Sequence, residues 1–219
     1  SKRGLFTADG ADYVGDVLYD DLGTPDTVRD SESNSGILIQ EEIIDDCLPL
    51  RRLNAHKGDF GSIAVVGSDL GMSGAVRLAG EAALRAGAGK VTIGTRPEHA
   101  ALVNTSCPEL MSRGIHSADE LAQLLASSDV IVAGTGLGQT EWSEKMLKAC
   151  LAAGKQLVLD ADGLSLLSKR DGDRIPPGGA GRVLTPHPGE AARLLDVSTK
   201  EIQADRVGSA LKIGFMNLR

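Results

Sequence analysis

The stretch Ser62-Ile63-Ala64-Val65-Val66-Gly67-Ser68-Asp69-Leu70-Gly71-Met72-Ser73-Gly74, with the helix-forming run from Gly74 to Gly87 and Lys90-Val91-Thr92-Ile93-Gly94 behind it, decides the fold. Ser62 to Gly67 reads as a buried strand of β-branched and small apolar residues. The polar, Gly-containing turn stops it. The Ala- and Leu-rich segment that follows predicts a helix with Leu78, Ala82, Ala83 and Ala86 near one face. A second strand over Lys90–Gly94 then completes a strand–helix–strand unit, whose strands run parallel.

The same alternation continues along the chain. Ser117 predicts an N-cap, with Glu120 at the capping-box position. Strands follow at Val130–Ala133, Gln156–Leu159 and Arg182–Leu184, separated by helices at Glu141–Ala153 and Leu164–Ser168, and a helix at Glu190–Leu195 closes the series. The expected fold is α/β, a three-layer αβα arrangement with a mostly parallel sheet and helices on both faces.

The 219 residues carry a formal charge of -7, 42% hydrophobic residues and three cysteines. That suits a domain with a real core. The negative charge and only six aromatic residues argue against nucleic acid as a partner. No apolar run approaches the ~20 residues of a membrane span. Cys47, Cys107 and Cys150 are odd in number and widely separated, which points away from a disulfide framework and towards a reducing, cytoplasmic setting. Ser1 in place of an initiator Met reads as the start of a piece of something longer. Residues 1–50 hold 12 acids and 3 bases, a net of -9, while residues 51–219 hold 18 acids and 20 bases. The leading segment therefore reads separately from the main domain. Residues 20–36 read as a solvated linker, and the alternating patches Tyr13–Tyr19 and Gly36–Gln40 as edge strands.

In doubly wound sheets, ligands bind beyond the carboxyl ends of the strands. The loops expected there are Gly67–Gly74, Gly134-Thr135-Gly136-Leu137-Gly138, Asp160-Ala161-Asp162-Gly163 and Thr185-Pro186-His187-Pro188-Gly189-Glu190. All are rich in Gly, Asp, Ser, Thr or His. The first runs into a helix, so its amides either face an anion or close a tight turn. The second lacks the glycine at 139 that a dinucleotide fingerprint requires, Gln139 standing there instead, which disfavours a dehydrogenase. Asp160 and Asp162, two apart at a strand end, would point the same way and orient a metal-bound water or a ligand hydroxyl; alternatively, one caps the next helix and the other bonds a neighbouring loop. Pro186 and Pro188 restrict the backbone around His187, the best placed of four histidines. His56, His99 and His116 have no partner at metal-ligand spacing and read as surface or packing residues.

Taken in order, these segments resemble the NAD(P)H-hydrate dehydratases of the ribokinase-like superfamily. The resemblance is carried by His56-Lys57-Gly58-Asp59-Phe60-Gly61, Gly74-Ala75, Gly80-Glu81-Ala82-Ala83-Leu84-Arg85-Ala86-Gly87-Ala88-Gly89 and Pro108-Glu109-Leu110-Met111. It continues in Gly134–Gly138, Asp160–Leu164 and Leu184–Leu195. Thr135 stands where the family usually has Pro. Gly4-Leu5-Phe6-Thr7 and Tyr13-Val14-Gly15-Asp16 look like the end of the epimerase domain in bifunctional members. Residues 1–50 would then be an epimerase-domain tail with an acidic linker, and residues 51–219 a partial dehydratase domain, incomplete at its C-terminus.

The resemblance implies repair of NADHX or NADPHX, with ADP or ATP as co-substrate and Mg²⁺. Phosphorylating the hydrate hydroxyl converts a poor leaving group into a good one. It implies that Ala75, Gly136, Gly138 and His187 contact the hydrated dinucleotide, with Lys57, Asp160, Asp162 and Glu190 in support. It also implies a homo-oligomer for the intact protein. The family's nucleotide turn and catalytic Asp fall beyond Arg219, Leu211-Lys212 being only a faint echo of that turn, so the 219 residues are expected to be inactive alone. A small-molecule kinase of the same superfamily and a non-catalytic dinucleotide-binding or assembly remnant stand as alternatives.

Overall fold

The computed structural model describes residues 3–31, 37–48, 50–169 and 181–216. Its contacts divide the chain between Ala55 and His56. The leading unit holds three short helices, α1 (Gly10–Tyr13), α2 (Asp26–Ser31) and α3 (Glu41–Cys47). Neither α1 nor α3 buries a residue. The expected edge strands do not form: residues 14–19 and 37–40 are irregular, and Gly36 lies outside the described residues. Alternation alone cannot hold a strand without a paired neighbour. Part of the expected linker is helical instead, since α2 occupies Asp26–Ser31, while residues 32–36 lie outside the described residues.

The second unit alternates β1 (Ser62–Val66), α4 (Ser73–Arg85), β2 (Lys90–Thr95), α5 (Pro97–Val103), β3 (Met111–Gly114), α6 (Ala118–Ala126), β4 (Val130–Ala133), α7 (Glu141–Ala152), β5 (Gln156–Leu159), α8 (Ala161–Ser168) and β6 (Arg182–Leu184). The helices α9 (Pro188–Leu195), α10 (Thr199–Ala204) and α11 (Arg206–Met216) follow. All five strand pairings are parallel, in the order β3-β2-β1-β4-β5-β6. The chain builds outward from β1 in one direction, then returns and builds outward from β4 in the other. The reversal between β1 and β4 is the topological switch point, where a crevice opens beyond the strand ends.

Side-chain alternation in the central strands feeds two cores. Ala64, Val66, Ile131, Ala133, Leu157 and Leu159 face α6, α7 and α8, packing with Leu121, Leu125, Met146, Leu147 and Leu164. Val65, Val91 and Ile93 pack on the other face with Val76, Val103 and Leu110. Ala191, Ala192, Ile202 and Ile213 form a third, smaller cluster joining α9, α10 and α11.

The buried face of α4 differs from the expected one. Val76 and Gly80 are buried, with Ala79, Ala83 and Leu84 packed beside them, while Leu78 is 66% exposed. The absence of a side chain at Gly80 decides the orientation. A Cβ there would meet Ile93 Cδ1 at 2.8 Å and Leu110 Cδ2 at 2.9 Å, so the helix seats its glycine face on the sheet. At the start of α6, Ser117 accepts from the Glu120 N–H as expected, but the Glu120 carboxylate reaches one residue further back and accepts from the His116 N–H at 2.8 Å.

Gly80→Ala is expected to be nearly neutral, because about 1 kcal/mol of helix propensity offsets small shifts of two flexible side-chain ends. Gly80→Leu overpacks the same contact and is expected to cost about 2–3 kcal/mol, measured by chemical denaturation of both variants.

Candidate functional site

The carboxyl ends of β1, β2, β4, β5 and β6 are knitted into one polar edge. The Ser68 N–H donates to Thr135 O at 3.2 Å and the Asp69 N–H to Gly136 O at 2.7 Å, extending the β1–β4 pairing past the sheet. The Gly138 N–H donates to Asp162 Oδ2 at 2.9 Å, joining the β4 loop to α8. The Thr185 N–H donates to Leu159 O at 3.2 Å, which ties in the β6 loop.

This approach is closer than side chains would permit. Cβ atoms on Gly67 and Gly134 would collide with Thr135 O and Asp160 O respectively. Gly134, at φ 117°, and Gly138, at φ 75°, also need backbone freedom that L side chains lack. Ser68 adopts φ 59° without being glycine, and its surroundings hold it there. Its hydroxyl donates to Met72 O at 2.6 Å and accepts from the Val76 N–H, while Ser68 O accepts from Thr95 Oγ1 and His99 Nδ1. The Gly67–Gly74 loop is therefore a tight turn, and it engages the third and fourth amides of α4, Ala75 N–H on Met72 O and Val76 N–H on Ser68 Oγ.

Ala75 and Gly136 are brought together. A Cβ on Gly136 would lie 2.9 Å from Ala75 Cβ and 3.2 Å from Met72 Cβ. Gly138 sits against Asp69, whose Oδ2 would be 2.6 Å from an added Cβ. His187 is the N-cap of α9. Its Nδ1 accepts from the Gly189 N–H at 2.9 Å, and Glu190 Oε2 accepts from the His187 N–H at 2.9 Å, closing a capping box. The His187 side chain is 62% exposed, with Nε2 3.3 Å from Glu190 Oε1; Glu190 itself is buried.

The paired-aspartate geometry fails. β5 stops at Leu159, Asp160 is the N-cap position of α8 without a side-chain cap bond, and Asp162 lies inside the helix. The strand ends too early for two-residue alternation to align the pair. Asp162 instead fulfils the alternative of bonding a neighbouring loop. Lys57 is not part of this edge: its turn precedes β1 and packs on Gly89 and Lys90, at the amino ends of the parallel strands. Among the described residues no three His, Cys, Asp or Glu side chains converge.

The strongest polar contact joins residues outside the expected set. Arg96 Nε donates to Asp69 Oδ1 at 2.6 Å, and Thr140 Oγ1 donates to Asp69 Oδ2 at 3.0 Å. Burial alone would push the Asp69 carboxyl up, but bonds from Arg96, the Leu70 N–H and Thr140, with the Arg96 charge, outweigh it and hold the carboxyl below its ordinary value. Arg96 directly follows the last residue of β2, and a polar residue at a strand's carboxyl end is the signal that marked the other loops.

Because its folded pKa is depressed, the Asp69 contribution to stability is fully present above the ordinary value of 3.8 and is lost as pH falls through the lower folded value. Thermal melts across the acidic range are expected to show a smaller acid-induced loss for Asp69→Asn than for the unmodified chain. Thr135 Oγ1 is buried and has no hydrogen-bond partner among the described residues. Thr135→Val is expected to raise stability by about 1 kcal/mol by removing that hydroxyl, measured by denaturant titration.

The NAD(P)H-hydrate dehydratase family matches residues 63–214. The bifunctional NAD(P)H-hydrate repair enzyme of Coxiella burnetii is 42% identical over 205 residues, covering 94% of this chain and 41% of that protein. The ADP-dependent (S)-NAD(P)H-hydrate dehydratase of Neisseria meningitidis is 40% identical over 168 residues, 75% of this chain and 55% of that one. A Bacillus subtilis ADP/ATP-dependent NAD(P)H-hydrate dehydratase, co-crystallised with ATP and Mg²⁺, superposes with a TM-score of 0.63 at 33% identity, covering 76% of this chain and 58% of that one. A ribokinase-like superfamily protein of Enterococcus faecalis reaches 0.71 at 26% identity, covering 80% and 63%. The chain spans about two fifths of the length of the bifunctional relatives. Its parallel sheet is ribokinase-like, and the chain belongs to the NAD(P)H-hydrate dehydratase family.

Proposed function

We propose that this chain supplies the dinucleotide-binding part of an ADP- or ATP-dependent NAD(P)H-hydrate dehydratase, acting on NADHX or NADPHX. The observation that carries this reading is the knitted edge at the switch point, where Ala75 and Gly136 present small residues side by side and His187 stands exposed on the β6 loop further along the same edge. Small residues let the hydrated nicotinamide ring, puckered where hydration has made its carbons sp³, approach the backbone closely, and a fixed imidazole supplies one directed polar contact. Gly138, Asp160, Asp162 and Glu190 act behind them. Asp162 and Glu190 hold backbone amides of the crevice loops, and Asp160 marks the start of α8.

In the reaction, the hydrate hydroxyl gives up its proton to a base and takes the terminal phosphoryl group, while the bridging P–O bond breaks and the nucleotide leaves one phosphate shorter. The C–O bond then breaks, phosphate leaves with the bonding pair, and loss of the adjacent proton restores the double bond. The work of this chain is to hold the hydrated ring and exclude water from it. No residue of this chain is assigned the general-base role or the nucleotide turn. Residues 1–50 are read as an epimerase-domain tail with an acidic linker, and residues 51–219 as the dehydratase part. No helix among the described residues is long and apolar enough to cross a membrane. Cys47, Cys107 and Cys150 are free thiols, with burial pushing Cys150 up to about 12, which suits a reducing cytoplasm. Homo-oligomerisation is part of the same reading. A superfamily kinase acting on a sugar or vitamin precursor is less favoured, because the relatives sharing these loops are named for hydrate repair.

Calorimetry with NADPHX, run beside a phosphate-release assay with ADP and ATP, tests the reading. The 219-residue protein is expected to bind the hydrate without releasing phosphate. His187→Ala is expected to weaken binding about tenfold, a loss of about 1.4 kcal/mol. Absence of hydrate binding, or phosphorylation of an unrelated small alcohol, overturns it. Turnover comparable to that of a full-length relative overturns the reading of this chain as the dinucleotide-binding part alone.

A further inference from the structure

Three loops meet at one partly buried ion pair that the proposed substrate contacts do not include. Asp69 belongs to the β1 loop, Arg96 to the β2 end and Thr140 to the N-cap of α7. The Asp69 side chain is 8% exposed and that of Arg96 23%. The Arg96 guanidinium lies 4.4 Å from the centre of the Trp142 ring, and its Nη2 donates to Thr140 Oγ1 at 3.3 Å. Trp142 is itself fixed, with Nε1 donating to Ile115 O at 2.9 Å. Arg96 is thus held on a ring and two oxygens, an arrangement suited to a planar fork and not to an ammonium.

The backbone of Asp69 carries this anchoring to the proposed binding edge. Its N–H donates to Gly136 O, and its carbonyl accepts from the Met72 N–H at 3.0 Å. Met72 O in turn accepts from the Ala75 N–H, and Met72 and Ala75 are the residues that flank Gly136. Where the Asp69 carboxylate sits therefore sets where Ala75 sits relative to Gly136.

We propose that Asp69 and Arg96 form a positioning clamp that fixes the Asp69–Ala75 segment against Gly136 and so shapes the dinucleotide subsite; this rests on the functional reading above. The two residues act through the loop and not by touching the dinucleotide. A buried ion pair adds little net stability over an apolar pair of equal volume, whereas it dictates geometry tightly.

Asp69→Asn, Arg96→Lys and the double variant, each checked for its melting temperature, test the clamp through two readouts. In the free protein, amide hydrogen exchange at Leu70–Ala75 is expected to accelerate about tenfold or more in each single variant, with the β1 and β4 amides unchanged. Affinity for NADPHX by calorimetry is expected to fall about tenfold in each, and the double variant to lose no more than the worse single. Unchanged loop exchange overturns the clamp. So does acceleration spread evenly through the α/β unit, which marks a general stability role, or a loosened loop with intact affinity. A wild-type chain that binds no hydrate overturns the functional reading, and the free-protein exchange then decides by itself whether the pair holds the loop.

Discussion

The backbone of the β1 loop lies directly on that of the β4 loop, and the β4 loop directly on the start of α8. Everything else at the carboxyl edge depends on this contact. Gly67 and Gly134 have no Cβ, so the carbonyls of Thr135 and Asp160 occupy the space where side chains would be. Two consequences follow from the same geometry. Backbone amides and carbonyls pair between loops, Ser68 with Thr135 and Asp69 with Gly136, so the loops behave as an extension of the sheet. The approach also buries Asp69, which in turn demands a cation and finds it in Arg96. The ion pair is thus a product of the close packing as well as its support.

The arrangement also explains why strain is tolerated there. Ser68, in the loop that leaves β1, and Ala161, the first residue of α8, hold left-handed backbone conformations at φ 59° and 48°. Such conformations cost of order 1 kcal/mol each and persist where surrounding bonds over-determine them. Around Ser68 those bonds come from Thr95, His99, Met72 and Val76, drawn from the end of β2, from α5 and from the loop and helix that follow β1. The neighbouring strand end and helix thereby become part of the site's framework without approaching the crevice themselves.

Strands β1, β2, β4, β5 and β6 were legible in the sequence because each shows a short β-branched or leucine-rich run bounded by turn residues. β3 was not. Met111-Ser112-Arg113-Gly114 has one apolar residue, and it is a strand because Thr92 to Thr95 of β2 supply its hydrogen-bonding partners. Tertiary context settled that element, as it settled the face of α4, where a glycine outweighed Leu78. Most of the crevice loops were readable from their one-sided polarity. The role of Asp162 depended on where β5 ends, which alternation does not define to a single residue. Arg96 was missed for a different reason: its place just past β2 is a local signal, but its partner Asp69 is 27 positions away, so the pairing could not be read from sequence.

The polar groups of this edge are largely engaged with one another. Asp162 holds Gly138, Glu190 holds the His187 amide, and Asp69 is shared by Arg96, Leu70 and Thr140. What the edge still offers a ligand is mainly shape, set by the small residues Ala75 and Gly136, together with the exposed His187 ring. On the proposed reading, a site of that kind would discriminate by how closely the substrate ring can lie on the backbone more than by counting hydrogen bonds. Its selectivity is therefore sensitive to displacements of a fraction of an ångström in the loops, and less so to the loss of any single polar contact. The elements with most influence over recognition are then the glycines and the ion pair that hold those loops in register.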